Sequence, residues 1–350
     1  MKVLMVLVGT PILERNKQEK IEYLERYCLE LGSNALFERK EIINADNQRK
    51  SLVGQGINVD YVFLGARRHP KSLFNSGRIL RKLVKKEKYD LVHSMWGTTT
   101  GLVCTIFSPV PTVVSFCGSD LLGNYTPEGK QTKGGRLSSF ISKIDAVLAK
   151  AIIAKSEHLK NSLWSSTRSK VTVIPNGIDP AKFYPIDRDK ARHELGWSLS
   201  KKVVLLFKGG GAYVKNLPLA EKAFEMLNVE NKELFYIEGI PFERLVYYYN
   251  AADVMFLTSL HEGSNNSIKE AMACNLPIVT SAVGDAPERL ENVKNSAVIK
   301  SYRAEDFAHA AESILANGQR SNGKDFIHEI TEQAVANKIA NYYKKILTKA

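Results

Sequence analysis

The sequence predicts an α/β protein of two domains, and three observations lead there. Ala251–Glu288 reads as a complete βαβ unit; short apolar runs alternate with amphipathic stretches along most of the chain; and 350 residues suffice for two domains of ordinary size. Within the βαβ unit, Val254–Leu257 is a short apolar run behind a polar turn, as a strand buried on both faces requires. A polar loop, His261 to Asn266, comes next. Ile268, Ala271, Met272 and Leu276 recur at helical spacing, Pro277 stops the helix, and Ile278–Thr280 is the following strand. Open α/β sheets hold ligands at such places, where the carboxyl end of a parallel strand feeds a helix.

Glu262 and Glu270 stand eight positions apart across that loop, one at the strand mouth and one expected in the first helical turn. The N–H groups between them, from Gly263 to Ser267, are placed to meet hydroxyls or anionic oxygens. A carboxylate accepts two hydrogen bonds at once, which suits a vicinal diol such as a ribose. The same residues admit a plainer reading. Ser267-Ile268-Lys269-Glu270 fits a capping box, with Glu270 satisfying backbone donors and Glu262 a solvated loop residue.

The run Glu262, seven residues, Glu270, then Ala271-Met272-Ala273 and a Gly-containing turn resembles the donor-site signature of the retaining glycosyltransferases of family 4, the group 1 glycosyltransferases. The resemblance implies the GT-B fold, two Rossmann-like doubly wound domains facing across a cleft. It also implies a nucleoside diphosphate-sugar as donor, with UDP favoured. Glu262 would face the hydroxyls of the transferred sugar and Glu270 would hold the ribose. The loop of Gly263, Ser264, Asn265, Asn266 and Ser267 would line the donor. Ser264-Asn265-Asn266 replaces the residues usual in the family, which leaves the sugar open.

A second donor element follows the strand Lys202–Phe207. Lys208-Gly209-Gly210-Gly211 runs through Tyr213 to Lys215-Asn216, ahead of a helix over Leu217–Leu227. A Gly-rich turn bearing lysines before a helix suits phosphate, although a solvated surface loop would look alike. Relatives place an Arg and a Lys here. Lys215 matches the Lys, Gly210 stands at the Arg position, and Lys208 is expected to supply the missing charge; Gly209 and Gly210 are counted among the donor contacts. Ile240, in the turn Gly239-Ile240-Pro241, is the candidate base contact, and Gly284–Glu288 is expected to close the pocket. Ser115–Leu121 resembles another family motif, with Cys117 where most relatives carry His. Cys117, Gly118, Asp120 and His93 are the candidates for the acceptor side or cleft rim. For Cys117 and His93 the plainer reading is structural, at strand ends.

Along the chain, Val3–Val8 is a first strand without the G-x-G-x-x-G of dinucleotide binders. Helices are expected over Glu14–Leu31, Phe37–Gln55, Phe74–Lys88 and Gly101–Phe107. Strands are expected at Asn58–Leu64, Tyr89–Ser94, Thr112–Phe116 and Ala146–Ala154. The Gly-rich acceptor loop that many relatives carry after the first strand is replaced by Pro11 and a charged helix. Val171–Asp179, a strand ending in Pro175 and a tight Asn176-Gly177 turn, marks the crossing between domains in the resemblance. The expected division is 1–180 for the acceptor, 186–325 for the donor, and 326–350 as a last helix, Phe326–Leu347, crossing back.

Composition narrows the classes. No stretch approaches the ~20 apolar residues of a membrane span, and Val3–Val8 is too short for a signal sequence. Cys28, Cys104, Cys117 and Cys274 lack metal or redox spacing and are expected to be reduced thiols in a cytoplasmic protein. No ligand cluster demands a metal, and neither metal nor cofactor is expected. The net charge of +12 is one-sided: Met1–Pro185 carries 28 Lys and Arg against 16 Asp and Glu, and the rest 21 of each. Arg67, Arg68, Lys71, Arg78, Arg81, Lys82, Lys85, Lys86 and Lys88 concentrate it around an amphipathic helix, which suits an anionic membrane. Nucleic acid is not expected, because no nucleic-acid motif accompanies the charge. The function expected is transfer of a sugar to a hydroxyl of a saccharide acceptor, lipid-linked, at the inner face of the cytoplasmic membrane. Two alternatives share the architecture: a catalytically silent sugar-nucleotide binder, and a sugar-nucleotide epimerase.

Overall fold

A computed structural model describes residues 1–8, 40–64, 70–126, 130–208 and 213–348. The helix expected over Glu14–Leu31, and Gly209 and Gly210, lie outside the described residues. The chain divides into two compact units. Met1–Asn124, Gln131–Gly177 and Glu332–Ala350 form the first; Ile178–Thr331 with Tyr125–Lys130 form the second.

The first unit is built on a six-stranded sheet of β1 (Lys2–Val8), β2 (Asn58–Leu64), β3 (Leu91–Ser94), β4 (Thr112–Phe116), β5 (Ala151–Ala154) and β6 (Val171–Val173), in the order β2-β1-β3-β4-β5-β6. Every pairing is parallel. Parallel strands need both faces covered, which is why β1 from Val3 onward and β5 read as unbroken apolar runs, while β3 and β4 are buried throughout although they include His93, Ser94, Thr112 and Ser115. On one face, the helices Lys40–Val53 and Glu332–Thr348 bring Leu52, Val335, Ile339 and Tyr343 against Val3, Met5, Val113 and Ile153. On the other, Pro70–Lys86 and Thr98–Phe107 pack Leu80, Leu83, Val84 and Val103 on Leu4, Val6 and Val92. Beside them, Lys133–Leu148 lays Ala146 on Val114 and Ile152. The basic helix therefore buries Leu80, Leu83 and Val84 on its own sheet, while Phe74, Arg78, Arg81, Lys82, Lys85 and Lys86 are exposed.

The second unit holds β7 (Lys202–Phe207), β8 (Lys232–Ile237), β9 (Val254–Leu257), β10 (Ile278–Ser281) and β11 (Ala297–Ile299), all parallel, in the order β11-β10-β9-β7-β8. The expected βαβ unit is β9, the helix Asn266–Ala273 and β10, with Met255 opposite Ile278. Helix Leu245–Ala251 packs on the same face as Asn266–Ala273, whereas Leu217–Met226 and Ala304–Asn317 cover the other.

Two expectations are corrected. Ala146–Leu148 is not strand: it ends the helix Lys133–Leu148, and β5 begins only at Ala151. Gly134, Gly135 and three serines hide that helix from propensity, but Thr132 caps it by accepting from the Gly135 N–H at 2.9 Å. The last helix starts at Glu332 rather than Phe326. The intervening chain makes two 3₁₀ turns, and Gly323 sits so close to Met272 that an added Cβ would lie 2.6 Å from its Cα.

Asp145, in the helix Lys133–Leu148, is fully buried, and neither carboxyl oxygen has a hydrogen-bond partner. Burial, and then the nearby Asp120 charge, push its pKa from 3.8 up to about 8. The folded protein thus holds a proton that the unfolded chain releases. This contribution to stability is complete below about pH 4 and is lost as pH rises through about 8. Urea unfolding should show the stability gap between the protein and Asp145→Asn changing by a few kcal/mol across that window, to the wild type's disadvantage at high pH. A gap independent of pH would contradict the assignment.

Candidate functional site

The turn after β7 and the loop after β9 lie on neighbouring strands and are tied to each other. Tyr213–Lys215 makes one 3₁₀ turn, and Asn216, at φ 49°, leads into the helix Leu217–Met226. The Thr258 hydroxyl is 3.0 Å from each of the Lys215 and Asn216 carbonyls, and the Leu260 N–H donates to the Val214 carbonyl at 2.8 Å. These bonds bring the Lys215 ammonium to 2.6 Å from Glu262 Oε1, which also accepts from the Ser259 hydroxyl at 2.8 Å. The two side chains remain 26% and 17% exposed, so the pair is open to a ligand. The rings of Tyr125 and His261, next to Glu262, are 4.5 Å apart.

The loop then enters its helix in a way the sequence did not disclose. Asn265 is the cap: its side-chain oxygen accepts from the Ser267 N–H at 2.8 Å, so that N–H is not available to a ligand. The capping box does not form. Glu270 is the fifth helical residue, not a first-turn residue, and it accepts from the Tyr249 hydroxyl at 2.5 Å. Glu270 and Tyr249 are both buried. Burial first, and then Glu270, hold the Tyr249 phenol far above its usual pKa, so it stays a donor. Ser264 donates to Asp285 Oδ2 at 2.7 Å, an oxygen that Arg289 also reaches at 3.1 Å. Gly284, at φ 60°, lets this turn pass against the loop, where a Cβ would lie 3.0 Å from the Gly263 carbonyl and 3.1 Å from that of Glu262.

Not every candidate joins this group. Lys208 pairs with Glu238 at 3.0 Å, both exposed, in a separate surface ion pair. Ile240 is half-buried against the core beside Gly239, which has φ 65°. Tyr249 and Ser259 were missed as site residues, and Asn265, expected as a donor contact, serves as the helix cap. Tyr247-Tyr248-Tyr249 carries no helical phase to single out one ring, and only the Asn before a helix start was a usable signal.

In the first unit, Asp120 is buried and gathers the N–H groups of Gly97, Cys117 and Gly118 at 2.8–3.3 Å, so it orients the loop after β4. Gly118 has φ 151°, a value few side chains tolerate. The Cys117 thiol lies 3.5 Å from the Met95 carbonyl. His93 was expected on a rim, but it is wholly buried, with Nδ1 2.5 Å from the Tyr343 hydroxyl and Nε2 2.7 Å from that of Ser115. Burial, then the Lys155 charge, lower its pKa to about 3, so it is neutral at physiological pH. Lys155, at the end of β5, is itself buried, and burial lowers its pKa.

Asp187-Arg188-Asp189 is a helix start: Asp187 accepts from the Lys190 N–H at 3.0 Å. Among the described residues no group of three or more His, Cys, Asp or Glu side chains could hold a metal ion, and no helix is long and apolar enough to cross a membrane.

Removing the Tyr249 hydroxyl leaves a buried carboxylate short of a donor, which costs about 1–3 kcal/mol. Tyr249→Phe should lower the unfolding midpoint correspondingly in a thermal melt. A melt identical to wild type would show that Glu270 does not need this partner.

Comparison with known proteins places this geometry. Residues 35–182 match the model described as Glycosyltransferase Family 4, and residues 197–317 the model described as Glycosyl transferases group 1. A D-inositol 3-phosphate glycosyltransferase of Mycobacterium sp. (strain KMS) is 26% identical over 189 residues. That match spans 45% of this chain and 42% of the relative, less than half the length of either. Sucrose-phosphate synthase from Thermosynechococcus elongatus superposes over 100% of both chains with a TM-score of 0.78 at 17% identity. Anabaena HepE, in complex with UDP-glucose, does so over 100% of both with a TM-score of 0.61 at 18% identity. Matched in both halves and alike in fold throughout, the chain belongs to the family 4, group 1 glycosyltransferases and has the GT-B fold.

Proposed function

We propose that the protein is a retaining, metal-independent glycosyltransferase. It moves a sugar from a nucleoside diphosphate-sugar, a UDP-sugar by preference, to a hydroxyl of a lipid-linked saccharide at the inner face of the cytoplasmic membrane. The observation that carries this reading is the partly exposed Lys215–Glu262 pair, 2.6 Å apart at the carboxyl ends of β7 and β9. Family membership supports the reaction class, and the UDP-glucose complex of HepE supports the choice of UDP.

Each residue then has a task. Lys215 leaves Glu262 for the diphosphate and stabilises the charge that grows there. The Glu262 carboxylate accepts from hydroxyls of the transferred sugar. Tyr249 holds one oxygen of Glu270 and leaves the other for the ribose. Asp285 and the Asn265 cap fix the Ser264 loop so that its backbone lines the sugar. The bond from the anomeric carbon to the diphosphate oxygen breaks, and the acceptor oxygen bonds to that carbon from the same face. The acceptor proton passes to the departing diphosphate.

The basic residues Arg81, Lys82, Lys85 and Lys86, exposed on a helix that buries Leu80, Leu83 and Val84 on its own sheet, support electrostatic contact with anionic lipid. The second reading, a binder without turnover, is favoured by one observation: Lys208, expected to replace the missing Arg, is engaged with Glu238.

A thermal-shift panel of UDP-, GDP- and ADP-sugars should raise the melting temperature most with a UDP-sugar. Slow release of UDP from that donor, undiminished by EDTA, should separate the enzyme from the silent binder. Stabilisation by none of the three nucleotides would overturn the donor assignment; a strict requirement for Mn²⁺ or Mg²⁺ would overturn metal independence.

A further inference from the structure

The helix Lys133–Leu148 is amphipathic the wrong way round for a helix covering a sheet. Its buried positions are small or polar: Gly135, Ser142, Asp145 and Ala146. Its outward face carries Leu137, 60% exposed, Phe140, 53% exposed, then Val147 and Leu148. These recur three, seven and eight residues apart, a single stripe along the helix. Trp164, 40% exposed, extends the stripe, its ring 6.1 Å from that of Phe140. Singly exposed apolar residues are ordinary, but a contiguous patch with the helix's only carboxylate turned inward calls for a partner.

Charge identifies the partner. Helix Thr98–Phe107, which packs against both Lys133–Leu148 and the basic helix Pro70–Lys86, carries no charge of its own. The exposed charges on the two flanking helices are all basic: Arg78, Arg81, Lys82, Lys85 and Lys86 on one, Lys133 and Arg136 on the other. A second copy of the chain would bring the same positive surface against itself. A surface of anionic lipid satisfies both features, with basic groups at the headgroups and the apolar stripe below them.

We infer that Lys133–Leu148, with Trp164, is a membrane-inserting element lying in the plane of an anionic bilayer, on the far side of Thr98–Phe107 from the basic helix that draws the protein to that surface. This rests on the membrane reading above and adds a component that the reading does not use, apolar insertion. The two differ in salt response. Attraction between charges alone is screened away at high ionic strength, whereas inserted side chains leave a salt-resistant remainder.

The test is co-sedimentation of the full chain with phosphatidylglycerol–phosphatidylcholine vesicles at low and high salt. The double variant Leu137→Ser/Phe140→Ser is compared with one in which Arg81, Lys82, Lys85 and Lys86 are changed to Ser. Wild type should bind at low salt and keep part of that binding at high salt. The apolar double variant, folded as judged by its melt, should bind about tenfold more weakly and become fully salt-reversible. Emission from Trp164 should shift to the blue and be quenched by brominated lipid, and Trp164→Phe should lose that signal. If the double variant binds like wild type while the charge variant does not, insertion is overturned and electrostatic contact stands. If wild type binds no vesicles, both fall. A wild-type dimer that the double variant dissociates, without vesicle binding, would assign the face to a second copy and overturn the inference.

Discussion

The second unit turns on one ion pair, between Lys215 and Glu262. It joins the turn after β7 to the loop after β9, and both segments are otherwise held by backbone hydrogen bonds and the Thr258 hydroxyl. A lysine and a glutamate at 2.6 Å satisfy one another, yet remain partly exposed, and exposed pairs contribute little to stability. Such a pair is easily exchanged. A ligand that brings an anion to one end and hydroxyls to the other replaces each partner with something equivalent. In the proposed account, the resting pair keeps both groups charged and aimed until a donor arrives.

What surrounds the pair is buried and hydrogen-bonded, whereas the pair itself is partly exposed. Glu270 is buried and bound by Tyr249, Asn265 caps the helix, and Asp285 ties Ser264 to Arg289. Gly284 is needed because a side chain there would press on the Glu262 loop. Buried polar networks of this kind specify one loop geometry at the risk of a large penalty if a partner is lost. Buried polar groups of the same kind occur in the first unit, where Asp120 gathers three backbone N–H groups and His93 is held between Ser115 and Tyr343.

Much of the fold was legible because buried parallel strands are rich in apolar residues. Val254–Leu257 and Ile278–Thr280 fall inside observed strands, and Lys202–Phe207 and Thr112–Phe116 match theirs end to end. The helix Lys133–Leu148 was not legible. Its glycines and serines lower helix propensity, and its apolar stripe points outward rather than inward, so periodicity misreports its packing. At the site, spacing located Glu262 and Glu270 but could not tell a cap from a ligand holder. The capping-box pattern at Ser267–Glu270 is present in sequence and unused in structure, because Asn265, two residues earlier, caps first. Tyr249 was invisible for another reason: its contact with Glu270 joins residues 21 apart in sequence through the packing of two helices.

The central claim, that Lys215 serves the diphosphate and Glu262 the sugar, separates cleanly by calorimetry with two ligands. UDP and UDP-glucose are titrated into wild type, Lys215→Ala and Glu262→Gln. The account predicts that Lys215→Ala weakens both ligands by about tenfold or more, as loss of a charge-assisted contact implies. Glu262→Gln should weaken UDP-glucose by a similar factor and leave UDP unchanged or tighter, since it frees the lysine. Equal losses for both ligands in both variants, or none in either, would contradict it.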